Sequence, residues 1–315
     1  MPNQTGTFTR QDIEFDADGS TIRGWLYRPQ YTEAQVPLIV VAAGYGCVKE
    51  MHMGRYSEVF AARGMAVLTF DFRNLGSSDG TPRQEVNPWQ QIEDYRHAIT
   101  FGLMQPFVDP DRVGIWGTSY AGGHALVVAA TDHRVKCVVA QTPTVSGHFS
   151  GLRRVPMDRV AQLAKAFGED RARRMSGQPP AMRPLVGDAI DQPIYPQQET
   201  REWFIRATKS TPTWRNEVTL RSMEFSRAYE PGAYISFISP APLLMIVGRT
   251  DAITCIDLQL DAFNRALEPK TLAFLEGGHF SCYEQEFEPA SAAAADWFAA
   301  HLLDRQGVDG ARAQR

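Results

Sequence analysis

Asp111-Arg112-Val113-Gly114-Ile115-Trp116-Gly117-Thr118-Ser119-Tyr120-Ala121-Gly122-Gly123-His124 passes from a short apolar run through a glycine and serine turn into a small-residue helical segment. It reads as strand, sharp turn, helix. Such a turn holds the serine at its tip in a strained backbone conformation and lifts the hydroxyl above the sheet edge, where a base can reach it. Ser119 is therefore the candidate nucleophile. Gly117, Gly122 and Gly123 have a steric reason to be there, because a side chain facing the turn would collide with the strand or the helix start. Ala121 departs from the usual G-x-S-x-G pattern. A serine in an ordinary turn before a buried helix would share so short a pattern, so the remainder of the chain has to decide.

On the N-terminal side, Phe8 to Phe15 and Thr21 to Tyr27 alternate about the turn Asp16-Ala17-Asp18-Gly19, which predicts an antiparallel hairpin. Pro37 to Ala43 and Met65 to Phe70 are continuous apolar runs, the pattern of strands covered on both faces. Between them a helix is expected from about His52 to Arg63, closed by Gly64. Pro88 to Met104 carries Trp89, Ile92, Tyr95, Ile99 and Leu103 at helical spacing. On the C-terminal side, Val135 to Gln141, Pro242 to Gly248 and Lys270 to Leu275 are further strands, with helices from about Cys255 to Leu267 and Pro289 to Leu303. Strands alternating with helices of this length predict an α/β fold with a mostly parallel central sheet and helices on both faces.

The alternation stops between about Pro143 and Ser236, a stretch rich in arginine, proline and aromatics and too long for a crossover. It reads as an inserted helical cap. The expected division is 1–142 and 237–306 as core, 143–236 as cap and 307–315 as a flexible polar tail. Val155, Met157, Val160, Leu163, Ala164 and Phe167 form one helical stripe, and Trp203, Phe204, Trp214, Phe225 and Tyr229 mark later helices. These aromatics are expected chiefly as the cap's own core, with some lining the pocket.

Three reactive residues stand at the carboxyl ends of three predicted strands, in the order Ser119, Asp251, His279. In an open parallel sheet those ends share one edge. A serine hydroxyl needs a base to take its proton, and an imidazole needs a carboxylate to fix its tautomer and stabilise its charged form. His279 and Asp251 suit these roles. Asp257 and Asp261 fall inside a helix and read as solvated surface. His52, His97, His124, His133, His148 and His301 follow no late strand, and Ser77 and Ser78 lack a nucleophile turn.

In this order and at these strand ends the chain resembles the α/β-hydrolases over nearly its whole length. Gly117 to Gly123 and the Asp71 to Gly80 loop resemble the dipeptidyl-peptidase and dienelactone-hydrolase-related group. Glu217 to Ser222, Ser239 to Met245 and Glu276 to Phe280 are similar to the polyketide transferase family of fungal biosynthetic clusters and its bacterial relatives. The resemblance implies an oxyanion hole made by the backbone amides of Tyr45 and Tyr120. Many members have histidine before the first glycine of that loop, whereas Ala43 precedes Gly44 here, which leaves the loop's support open.

A chain of 315 residues, 43% hydrophobic and 22% charged, can bury a large core. Its net charge of -4 offers no field for nucleic acid, and its apolar runs are too short to span a bilayer. Met1 to Thr5 starts polar, with neither a basic start nor an apolar signal core, so a cytoplasmic location is expected. Cys47, Cys137, Cys255 and Cys282 lack close pairing or metal-ligand spacing and are expected as reduced thiols. Between Gly151 and Met175, Arg153, Arg154, Arg159, Lys165, Arg171, Arg173 and Arg174 outnumber Asp158, Glu169 and Asp170. A solvated helix face is one reading, and attraction of an anionic acyl carrier or coenzyme A thioester is the other.

The expected activity is that of a serine hydrolase acting on an ester, thioester or lactone with a bulky apolar acyl part. No cofactor and no metal is called for, and the expected partner is a small-molecule acyl substrate. If an alcohol or amine takes the place of water, the same residues make an acyltransferase. A peptidase or amidase, a non-catalytic binding protein and a homodimer also stay open.

Overall fold

The computed structural model describes residues 8–30, 34–188, 190 and 192–303. The polar start and the tail expected at 307–315 lie outside the described residues. Alternation in β1 (Phe8–Ala17) and β2 (Ser20–Pro29) produces an antiparallel pair. Asp18 and Gly19 join them with φ of 52° and 81°, the left-handed pair that matches the twist of a tight hairpin.

The apolar runs become interior strands. Every residue of β3 (Val36–Ala42) and β4 (Ala66–Phe70) is buried. Helix α1 (Met53–Ala62) separates them, and Gly64 after it has φ 90°. The helix α2 (Pro88–Leu103) starts at Asn87, whose side chain accepts the Trp89 amide, with Pro88 in the first turn. Strand β5 (Val108–Thr118) leads through Ser119 into α3 (Tyr120–Thr131), and β6 (Val135–Gln141) follows. Residues 120–130 of α3 are buried on every side, which explains why that helix carries no amphipathic pattern.

After β6 the chain leaves the sheet. Helix α4 (Gly147–Arg154) is capped by Ser146, whose Oγ accepts the Phe149 amide. A short 3-10 turn over Met157–Arg159 precedes α5 (Val160–Met175). Two-residue strands β7 (Met182–Arg183) and β8 (Val218–Thr219) pair antiparallel, with α6 (Gln198–Ala207) between them and α7 (Leu220–Arg227) after them. The chain returns through a 3-10 turn over Pro231–Phe237 to β9 (Leu243–Gly248), α8 (Ile256–Arg265), β10 (Lys270–Leu275) and α9 (Phe287–Phe298).

The single helical stripe expected from Val155 to Phe167 is not formed. Pro156 disfavours helical backbone at Val155, which is extended at φ -100°, ψ 118°, so one helix ends and another begins. Met157 is 85% exposed, and Asp170 is the one fully buried residue of α5. The apolar weight of this segment lies instead in Leu185, Val186, Ile194, Tyr195, Trp203 and Phe204, which join the same cluster as the sheet's core.

The large sheet has the order β1-β2-β4-β3-β5-β6-β9-β10. From β4 to β10 neighbours pair parallel, while β2 pairs antiparallel with β4. Helices α1 and α9 pack together on one face, and α2 with α3 on the other. This is the α/β-hydrolase arrangement. Parallel pairing brings the carboxyl ends of β3, β5, β9 and β10 to one edge, where the reactive residues stand. No helix among the described residues is long and apolar enough to cross a membrane.

Candidate active site

Ser119 sits between β5 and α3 with φ 57° and ψ -116°, a conformation that costs a non-glycine residue roughly 1–3 kcal/mol. Its amide donates to Gln141 O at 2.9 Å, and its carbonyl accepts from Thr144 N at 2.8 Å, so neighbouring β6 and the loop after it hold the strained turn. Gly117 is required by the close approach of strand and helix: a Cβ there would lie 2.1 Å from the Ala121 carbonyl oxygen.

The three strand-end residues converge. The Oγ of Ser119 lies 3.0 Å from His279 Nε2, and His279 Nδ1 lies 2.8 Å from Asp251 Oδ2. Asp251 follows β9 and is buried, yet none of its lone pairs is wasted. Its Oδ1 accepts the amides of Ile253 at 2.9 Å and Thr254 at 3.0 Å, and its Oδ2 accepts the Thr254 hydroxyl at 2.7 Å. Gln259, from α8, donates to Thr254 Oγ1 at 2.8 Å and to Asp251 Oδ2 at 3.4 Å. Burial alone would raise the Asp251 pKa, but the charge of His279 and these hydrogen bonds outweigh it and hold the carboxylate below its ordinary range. The carboxylate is fixed on the Nδ1 side of the ring, and Nε2 faces the Ser119 hydroxyl.

The loop after β3 brings Gly44 and Tyr45 over the serine. A Cβ on Gly44 would stand 3.1 Å from Ser119 Cβ, so glycine permits this approach. Tyr120 is the first residue of α3 and has no intrahelical acceptor for its amide. No backbone hydrogen bond among the described residues uses the Tyr45 or Tyr120 amide. These two amides are the candidates for the oxyanion donors that the resemblance implies.

This loop is held by a buried ion pair that its sequence did not announce. Asp71, just after β4, accepts Lys49 N and Lys49 Nζ, both at 2.7 Å, and the Ser77 amide and hydroxyl, both at 2.9 Å. Burial opposes the charge on Lys49, but Asp71 and Glu50 outweigh it and hold the ammonium above its ordinary pKa. On the other side, Trp214 donates to Gly46 O at 3.1 Å, and the Tyr45 ring meets Tyr120 edge-on at 5.0 Å. The adjacent charges Lys49 and Glu50 within a largely apolar loop were the available signal. Asp71 as the partner of Lys49 is visible only in the fold.

Ser119 opens into a pocket walled by Tyr45, Tyr195, Trp203, Phe204, Phe280 and Tyr283. Trp203 stacks on Phe280 at 4.7 Å and meets Phe204 edge-on at 5.0 Å. Trp203 and Phe204, expected chiefly as cap core, are therefore also pocket wall. Trp214 braces the loop over the serine, and Tyr229 packs against His124.

The competing residues stay away from the chemistry. Asp257 pairs with Arg153 at 2.6 Å on the surface, and Asp261 with Arg265 at 3.3 Å. His124 is fully buried between Tyr229 OH and Gln91 Oε1, and burial lowers its pKa to about 3. Ser77 and Ser78 serve the loop around Asp71. All four cysteines are buried and free, and burial pushes the Cys47 thiol up to about 12, far from a reactive thiolate.

Comparison with known proteins agrees with this architecture. The family profile described as X-Pro dipeptidyl-peptidase (S15 family) matches residues 18–281. A thiohydrolase of Eupenicillium brefeldianum is 31% identical over 277 residues, covering 86% of this chain and 87% of that protein. A polyketide transferase of Stachybotrys chlorohalonatus is 31% identical over 283 residues, covering 88% of this chain and 92% of its own. Among solved structures, the α/β-hydrolase GrgF of Penicillium sp. sh18 superposes with a TM-score of 0.81 at 26% identity, over 94% of this chain and all of that one.

Proposed function

The chain belongs to the X-Pro dipeptidyl-peptidase (S15) family of α/β-hydrolase enzymes, whose relatives act by hydrolysis or acyl transfer, and from that premise we propose a serine thioester or ester hydrolase using Ser119, His279 and Asp251. The observation that carries the reading is the continuous chain of contacts from Asp251 through His279 to Ser119, open to an aromatic pocket. Ser119 Oγ attacks the acyl carbonyl as His279 Nε2 takes its proton. The amides of Tyr45 and Tyr120 receive the oxyanion, and the imidazolium returns the proton to the departing thiolate or alkoxide. Water, deprotonated by the same nitrogen, then releases the acid and restores the serine.

The aromatic walls favour an apolar acyl group, and with about 30 Å³ of free volume the pocket admits a bulky one only if these side chains move. Glu199, beside pocket-lining Thr200, lies against Gly278 just before His279, so the peptidase reading keeps a candidate counter-ion for a charged amino terminus. We read residues 143–236 as the cap that supplies Tyr195, Thr200, Trp203 and Phe204 to this wall.

Transfer to an alcohol or amine is the second reading, supported by the likeness to a polyketide transferase. The test is a panel of aryl-substituted thioesters, esters and lactones, each with and without a primary alcohol. The hydrolase reading expects free acid as the main product throughout. New ester formed at the expense of acid would favour the transferase, and no turnover of any acyl compound would contradict both.

A further inference from the structure

Beyond Tyr45, the Ser119 pocket shares that residue's wall with a recess bordered by Gly151, Arg154, Ile194, Met223 and Arg227. The recess in turn shares Arg154, Val155, Ile194 and Met223 with an open cavity of 220 Å³, to which Arg159 and Arg183 also contribute. The three spaces are thus adjacent, with Tyr45 between the serine pocket and the recess, and Arg154, Val155, Ile194 and Met223 between the recess and the cavity.

Its charge is unlike that of the surrounding segment. Arg153 pairs with Asp257, Arg171 with Glu224, Arg174 with Asp170, Arg201 with Asp188 and Lys165 with Glu169. Arg154, Arg159, Arg183 and Arg227 have no carboxylate partner among the described residues. Arg154 lies over the Tyr195 ring at 4.6 Å and donates to Ile253 O at 3.4 Å, which fixes its guanidinium without neutralising it. Burial and the proximity of Arg154 both make the positive charge of Arg227 less favourable. Uncompensated guanidinium groups gathered over an apolar recess, in a protein of net charge -4, call for an anion. Several cations around one cavity match a phosphate dianion better than a single carboxylate, and guanidinium forks bind phosphate oxygens in pairs.

We propose that this cavity is an anion subsite, which takes the phosphate at the end of a phosphopantetheine arm while the thioester carbonyl of the same molecule lies at Ser119. The proposal rests on the thioester reading above. In this arrangement the acyl group fills the aromatic side and the leaving thiol departs toward the arginines. Val155, Leu163, Ile194 and Met223 supply apolar surface for the flexible arm.

The test is calorimetric titration of Ser119→Ala protein with 4′-phosphopantetheine and with pantetheine, which lacks the phosphate. The phosphate-bearing compound is expected to bind about tenfold tighter or better, and Arg159→Gln/Arg183→Gln should abolish most of that advantage. Equal binding of the two compounds, no binding of either, or an advantage that survives the arginine substitutions would overturn the proposal. None of these outcomes touches the hydrolase reading, because active-serine labelling does not use the cavity. A second arm compares N-acetylcysteamine monothioesters of a dicarboxylic acid and of its methyl ester. An arginine-dependent preference for the free carboxylate, with none for the phosphate, would put the acyl tail in the cavity and contradict the proposal.

Discussion

His279 Nδ1 stands 2.8 Å from Asp251 Oδ2 although 28 residues separate the two, and the carboxylate also accepts two backbone amides and a threonine hydroxyl. Asp251→Asn keeps the shape but replaces the acceptor that fixes the ring's tautomer. The expected result is a fall in kcat of about 10³ to 10⁴ with little change in KM. Far-ultraviolet circular dichroism should stay unchanged. A variant with more than a tenth of the original kcat would remove Asp251 from the mechanism.

Lys49 and Asp71 are buried, with side chains 6% and 0% exposed, and join the loop that carries Tyr45 to the loop after β4. Lys49→Met leaves Asp71 charged and unpaired in the interior. A loss of about 3–5 kcal/mol is expected in urea unfolding, because breaking such a pair costs more than removing it whole. The double variant Lys49→Met/Asp71→Asn should recover part of that loss. Equal stability of Lys49→Met and the parent would show that the pair does not brace the loop.

A pH effect follows from His124, which stays neutral down to about 3 when folded, against 6.5 for an ordinary histidine. Between those values the unfolded chain binds a proton that the folded chain does not. Stability therefore falls as pH drops below 6.5, by about 1.4 kcal/mol per unit from this group. His52, lowered by burial, acts in the same direction. His124→Gln should flatten the acid limb of an unfolding-midpoint profile. An unchanged slope would mean that the folded protein protonates His124 at little cost.

The sheet was legible because β3, β4 and β9 are buried along their whole length and so are written as unbroken apolar runs. Ser119, Asp251 and His279 were legible because each follows a strand-like apolar stretch, even where, as in β10 before His279, that stretch is only part-buried. The 143–236 segment was not. Its strands are two residues long, Pro156 divides what periodicity joins, and Tyr195, Trp203 and Phe204 join a core cluster with residues far away in the chain, such as Tyr45 and Phe280. The supports of the site were hidden for a related reason. Lys49 and Asp71 lie 22 residues apart in separate loops, and only folding makes them a pair. Thr254 and Gln259 left a weak local trace, an Asp-x-x-Thr turn at a helix start, which becomes meaningful once Asp251 is seen to need hydrogen-bond donors.

The most direct measurement is covalent labelling by a fluorophosphonate probe, followed by mass mapping of the modified peptide, in the parent protein, Ser119→Ala and His279→Ala. The account predicts one label per chain on Ser119, none on Ser119→Ala and strongly slowed labelling of His279→Ala, because the hydroxyl is reactive only with its base 3.0 Å away. A parent protein that resists the probe, or a label that persists in Ser119→Ala, would contradict it.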